Sequence, residues 1–247
     1  MKQLPNAPLQ EVIFEVKWDL SFDTASREMI DPGFNLALGK FHGLITEDFP
    51  KHISKYPSDV PITFFNHKVI HQFWKGDKQW PVVQLGPGVL TVNDTDDNYQ
   101  WEENFFPLVK TTLERLIRSY GSLSFGQYSL RYIDVVRRKD YASADWPSFI
   151  RDNINFEFKN NFEPKGQLKE FQFQQNFAVD SIGDLVINIS NGLNNKKEEI
   201  FVWQTTIIGK SGIDKSGLLE WLNKAHGHSS QVFKEICKKD FYGSFIK

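Results

Sequence analysis

The chain has 247 residues, of which 40% are hydrophobic and 15% aromatic, 22 of them Phe. That is enough apolar material for a substantial core, and aromatic side chains favour a strand-rich one. A formal net charge of −2 provides no global basic field for nucleic acid or anionic lipid. A single cysteine, Cys237, excludes an internal disulfide framework and a thiolate metal cluster.

Residues 12–18, Val-Ile-Phe-Glu-Val-Lys-Trp, predict a first strand. Asp31-Pro32-Gly33 reads as a helix N-cap with Pro behind it, and Phe34, Ala37, Leu38, Phe41, Leu44, Ile45 and Phe49 follow at helical spacing. Tyr56 to Pro61 is turn material. Val69 to Lys75 predicts a strand, and Pro81–Leu85 and Val89–Val92 pair as a hairpin through Gly86-Pro87-Gly88. From Trp101 a helical stripe of Phe105, Leu108, Val109, Leu113, Leu116, Ile117 and Tyr120 runs to Gly121, with Pro107 near its start.

Phe125 to Arg137 alternates as a long strand, with Tyr128, Leu130, Tyr132 and Val136 on one face and Gln127, Ser129 and Arg131 on the other. Asp145-Trp146-Pro147 predicts another capped helix, and Lys159 to Gly166 a polar linker. Phe171 to Val179, Leu185 to Ser190 and Glu199 to Ile208 predict three more strands. Asp214 caps a last helix whose apolar stripe is interrupted by His226-Gly227-His228-Ser229.

The expectation is therefore one α+β domain over 1–247: an antiparallel sheet with helices packed on one face. It divides into two similar β-α-β-β-β-α halves, about 10–120 and 124–247, read from element order alone. Such an arrangement resembles the TATA-binding-protein-like or helix-grip type at the level of fold, and implies nothing about DNA.

Four stretches carry a further resemblance: Pro8-Leu9-Gln10-Glu11-Val12-Ile13-Phe14-Glu15, Trp80-Pro81 with Gln84-Leu85-Gly86-Pro87, Tyr99-Gln100-Trp101-Glu102, and Leu130-Arg131-Tyr132-Ile133-Asp134. Together the chain resembles a sporadically distributed prokaryotic family without an established activity. Its pattern has Asn where Asp134 stands. The resemblance implies a bacterial protein of an accessory or defence system and no catalytic residue.

Several chemistries meet obstacles. Ile207-Ile208-Gly209-Lys210-Ser211-Gly212 lies where a phosphate loop would, but a Walker motif needs an earlier glycine and open backbone, and Gln204, Thr205 and Thr206 belong to a strand. His226 and His228 diverge on a helix, and His42, His52, His67 and His71 are scattered over different elements, so no metal site or cofactor is assigned. Cys237 falls on an apolar stripe. Glu102-Glu103 and Asp94-Asp96-Asp97 complement a helix start or stay solvated.

What remains is a polar sheet face. Gln127, Ser129, Arg131, Gln172, Gln174, Asn176, Asn188, Ser190, Gln204 and Thr206 all alternate with core positions, and Trp80, Tyr99 and Trp101 form an aromatic rim. Amides donate and accept at once, so this surface suits peptide, nucleobase or small polar ligands, set against the simpler reading of a solvated sheet face.

The reading is a non-catalytic binding or protein-partner module. Two alternatives stand beside it: a component of a defence or toxin–antitoxin pair, and an unrecognised nucleotide-dependent enzyme using the Gly209–Gly212 turn. The N-terminus has no signal-peptide pattern, and no apolar run approaches the ~20 residues that cross a bilayer. The expectation is thus a cytoplasmic protein, with a partner encoded nearby or a homodimer through open sheet edges.

Overall fold

A computed structural model of the chain describes residues 4–57, 59–95, 99–157, 161–162, 165–210 and 212–246. Asp96, Asp97, Lys159 and Ser211, named above, lie outside the described residues. The fold is α+β, dominated by a large antiparallel sheet. Packing separates the chain into two compact units that do not follow the halves expected from element order. The first unit comprises Val12–Leu130 and Ile208–Asn223; the second comprises Met1–Glu11, Arg131–Ile207 and Lys224–Lys247.

In the first unit, β1 (Leu9–Trp18) alternates between buried and half-buried residues from Val12 to Trp18. A small hairpin of β2 (Ser21–Asp23) and β3 (Glu28–Ile30) leads to α1 (Phe34–Ile45). The expected Asp31 cap is not formed: the N-cap residue is Gly33, without a side-chain hydrogen bond. Asp31 Oδ2 instead accepts from Trp18 Nε1 (3.0 Å), Tyr120 Oη (2.7 Å) and the Gly88 amide (3.1 Å). Three converging donors outcompete a local cap, and they join β1, the helix that ends at Tyr120 and the Pro87–Gly88 turn to the segment before α1 at one carboxylate oxygen.

β4 (Lys51–Ser54), β5 (His71–Gly76), β6 (Gln79–Gly86) and β7 (Val89–Asp94) follow as a meander. A π-helical turn at Trp101–Phe105 precedes α2 (Phe106–Tyr120), so the regular helix starts later than Trp101. Gly121 ends it at φ +93°, a conformation that favours glycine. Phe41 of α1 meets Phe73 of β5 at 5.6 Å, and Tyr120 of α2 meets Trp18 of β1 at 5.3 Å. The sheet face carrying Phe14, Val16, Trp18, Phe73, Val83, Leu85, Leu90 and Val92 is therefore the one the helices cover.

The second unit takes up the long strand β8 (Phe125–Arg137) from Arg131 onward. In α3 (Trp146–Asn153) the expected cap is present: the Ser148 amide donates to Asp145 Oδ1 at 2.8 Å. β9 (Gln172–Val179) and β10 (Gly183–Leu193) form a regular hairpin, followed by β11 (Glu199–Gly209). α4 (Lys215–Ile236) runs unbroken through Gly227, and α5 (Lys239–Ser244) follows. Phe201 and Trp203 of β11 meet Phe149 (5.1 Å), Phe233 (6.0 Å) and Phe241 (6.2 Å), so all three helices pack on one face of the strand. Truncating a side chain as buried as Trp203 costs about 3–5 kcal/mol. Strands hydrogen-bond in the order β4-β5-β6-β7-β1-β8-β11-β10-β9.

Candidate functional site

The face of the first unit opposite its helices is set by register. Gln72 pairs with Gln84, Gln84 with Thr91, and Thr91 with Glu15; Trp74 pairs with Val82, and Val82 with Asn93. Antiparallel partners share a face, so these side chains stand together on the side away from Phe73 and α1. Sequence reasoning passed them over because Val82-Val83 and Val89-Leu90 look buried on both sides.

They form a directed hydrogen-bond chain. Trp74 Nε1 donates to Gln72 Oε1 (3.4 Å), and Gln72 Nε2 donates to Gln84 Oε1 (2.7 Å). Gln84 Nε2 then uses both its hydrogens, on Thr91 Oγ1 (3.1 Å) and Asn93 Oδ1 (3.2 Å). Thr91 Oγ1 donates to Asn93 Oδ1 at 2.8 Å. Every amide orientation is thereby fixed by its neighbour. Thr91 and Asn93 are only 5% and 7% exposed, whereas Gln72 and Gln84 are half-buried. Beside them Lys17 Nζ pairs with Glu15 Oε1 at 3.0 Å, and the Trp74 and Trp80 rings meet edge-on at 5.3 Å. The patch has oriented dipoles, two aromatic surfaces and no net charge.

Of the expected rim residues, Trp80 stands with this face. Trp101 is buried and gives its indole N–H to Asn223 Oδ1 (3.3 Å), and Tyr99 meets Phe105 at 5.6 Å; both serve the packing around the start of α2. Gln127 is half-buried and Ser129 buried.

In the second unit, Gln172 stands opposite Ser190 and Gln174 opposite Asn188, and Gln174 Nε2 donates to Asn176 Oδ1 at 3.2 Å. Arg131, Gln172 and Gln174 are exposed, Gln204 half-buried and Thr206 buried. Between Gln174 and Asn176 the amides again organise one another, while Arg131 presents an exposed guanidinium.

Two further clusters were invisible in the sequence. In the first unit, His42 of α1, His52 of β4 and His71 of β5 converge: His52 Nε2 and His71 Nδ1 lie 3.0 Å apart, and the His42 and His52 rings 4.8 Å. Phe73 stacks on His52 at 4.9 Å. Burial, then the neighbouring imidazoles, lowers His71 to about 4; burial and His42 lower His52. His52 and His71 are thereby held neutral. Among the described residues no group of three metal-ligating side chains could hold an ion.

In the second unit, Tyr132 Oη and His226 Nδ1 are 2.8 Å apart, and burial lowers His226 to about 4, so a neutral imidazole pairs with the phenol. Asp134 is 4% exposed and burial raises it to about 8. Burial, with Asp134 nearby, raises Cys237 to about 12. Neutral acid, neutral imidazole and neutral thiol are the reverse of an activated nucleophile, which needs its anion stabilised.

Gly209, the first glycine of the turn considered for phosphate, has another explanation. A Cβ there would lie 1.9 Å from the Tyr128 ring, which itself packs on Trp221 at 4.5 Å. The glycine makes room for an aromatic side chain. No family model, curated protein or solved structure matches the chain. No helix among the described residues is long and apolar enough to cross a membrane.

Proposed function

We propose that this protein is a non-catalytic binding module that holds a neutral polar ligand on its amide-lined sheet face, at the half-buried Gln72, Trp74, Trp80 and Gln84. The observation that carries the reading is the chain from Trp74 through Gln72 and Gln84 to Thr91 and Asn93. Preorganised amides beside a tryptophan pair supply oriented donors and acceptors with apolar rings, which suits a sugar, a base or a peptide group. In the second unit Arg131 with Gln172, Gln174 and Gln204 offers a second polar patch. A two-half arrangement of TATA-binding-protein-like or helix-grip type is supported by the strand order, in which β7 lies beside β1 and β11 beside β8; the first half departs from the expected β-α-β-β-β-α pattern by carrying the β2–β3 hairpin and four meander strands, β4 to β7.

A thermal-shift screen with neutral oligosaccharides, nucleosides and short peptides tests it, because a ligand that binds the native state stabilises by mass action. A stabilising ligand should lose its effect in Gln84→Leu and in Trp74→Ala, each compared with its own unliganded melting point. A ligand unaffected by either change would sink the assignment. Arg131→Ala tests the second patch: weakened binding with an unchanged melting point supports it, and a large loss of stability marks the arginine as structural.

The family resemblance favours a second reading, a bacterial cytoplasmic component of a defence or toxin–antitoxin pair. Co-purification with the product of a neighbouring gene supports that reading, and a partner-free pull-down counts against it. The nucleotide-dependent alternative is tested in the same screen with nucleotides and divalent metals.

A further inference from the structure

The two edges of the sheet are built differently. β4 is four residues long, and its Lys51 is ion-paired with Asp77, a short charged edge of the kind that discourages pairing. β9, at the other edge, runs eight residues, Gln-Phe-Gln-Gln-Asn-Phe-Ala-Val, with no charge, no proline and no glycine. Its pairing with β10 is regular throughout. Phe177 is 43% exposed on the face that carries Leu185, Ile187 and Ile189.

The free hydrogen-bonding groups of this edge can be assigned. The Asn191 amide donates to the Phe171 carbonyl at 3.4 Å, one step beyond the Gln172–Ser190 pair. Antiparallel ladders alternate, so residues 173, 175, 177 and 179 bond to β10 while the N–H and C=O of Gln172, Gln174, Asn176 and Ala178 point outward.

We propose that β9 is a self-pairing edge: a second copy of this chain adds its own β9 antiparallel about a two-fold axis through Gln175. In that register Gln172 bonds with the partner's Ala178 and Gln174 with the partner's Asn176, which engages every outward backbone group. Phe173 then stands across from the partner's Phe177 in a non-hydrogen-bonded pair, where side chains approach most closely. Both rings project from the core face, so pairing would continue the apolar core across the axis. The occupant is a copy of this chain because the strand is uncharged and its Phe173 and Phe177 are self-complementary about the axis; the flanking Glu170 and Asp180 are both acidic and face one another across it, which keeps the association weak. The inference is independent of the ligand proposed above, since it uses the strand edge and not the sheet face.

Eight paired residues bury less than the ~1,200 Å² at the low end of stable interfaces, so the dimer should be weak and concentration-dependent. Sedimentation velocity on the full chain over a wide concentration range reads this directly. Wild type should move from monomer to dimer, while Gln175→Lys and Gln175→Glu, each placing like charges on the axis, should stay monomeric. An equimolar mixture of the two variants should recover the dimer. Gln174→Pro removes an outward N–H and no bond to β10, and should also be monomeric with an unchanged melting point. A wild type that stays monomeric throughout overturns the proposal. So does a dimer that survives Gln175→Lys or Gln174→Pro, or a charge-swapped mixture that fails to pair.

Discussion

Gln72 Nε2 donates to Gln84 Oε1 at 2.7 Å, and this bond sets the direction of the whole amide chain on the face away from α1. With its oxygen engaged from β5, Gln84 can only donate toward β7, and it does so twice. Gln84→Leu strands donor and acceptor groups on both neighbours and should cost about 1–3 kcal/mol. Gln84→Glu is the sharper probe. At neutral pH its carboxylate still accepts from Gln72 but faces Asn93 Oδ1 without a hydrogen. It should be less stable than Gln84→Leu at pH 7 and regain stability as it protonates. Urea titrations of the two variants at pH 4.5 and 7 measure the difference.

His71 is lowered from 6.5 to about 4 by burial first and by His52 and His42 second. Between those values the unfolded chain takes up a proton that the folded chain refuses. The stability from keeping His71 neutral is therefore complete above about pH 6.5 and is lost as pH falls toward 4. The full shift corresponds to ~3 kcal/mol as an upper figure. His71→Phe keeps an aromatic ring against Phe34 and removes the titration. Stability of the variant relative to wild type should rise as pH falls from 6.5 to 4.5, read from denaturant midpoints. A constant difference across that range would exclude His71 as the titrating group.

Why one part of the molecule could be read in the sequence and another could not follows from the range of the interactions. β8 was legible over its full Phe125–Arg137 extent, because strict alternation is a local signal. The Asp145 cap was legible because its acceptor and the Ser148 amide are three residues apart. Asp31 carries the same local signature, yet Trp18, Gly88 and Tyr120 reach it from distant parts of the chain. The three histidines share no element and meet only through the β4–β5 register and the lie of α1. β4 was missed because Lys-His-Ile-Ser lacks an apolar alternation. The exposure of Gln172 and Gln174 was legible from alternation, but the hydrogen-bonded amides at Gln72 and Gln84 were not, because they depend on pairing register, which apolar patterning around them hides.

Asp134 is the opposite titration to His71. Burial raises it to about 8, so the folded chain holds a proton that the unfolded chain releases near 4. Its penalty is absent below about pH 4 and grows until about pH 8. Asp134→Asn keeps the shape without the charge. The variant should match wild type near pH 4 and exceed it at pH 8, by an upper figure on the order of 5 kcal/mol. Thermal melts at the two pH values decide this. Equal melting points at pH 8 would mean that the carboxylate is solvated in the native state.

Gly209 and Tyr128 give a test that separates packing from anion binding. A methyl group at 209 would overlap the Tyr128 ring, which is 4% exposed and wedged against Trp221. Gly209→Ala should therefore cost about 1–3 kcal/mol or more through overpacking. Tyr128→Ala alone should cost about 3–5 kcal/mol by leaving a cavity. In the double variant the new methyl enters space the ring has vacated, so the combined loss should be smaller than the two losses added. A glycine held for an anion's approach predicts simple additivity instead, because removing Tyr128 would do nothing for a blocked backbone amide. Chemical denaturation of the four proteins in the cycle, with a coupling of at least ~1 kcal/mol as the threshold, distinguishes the two.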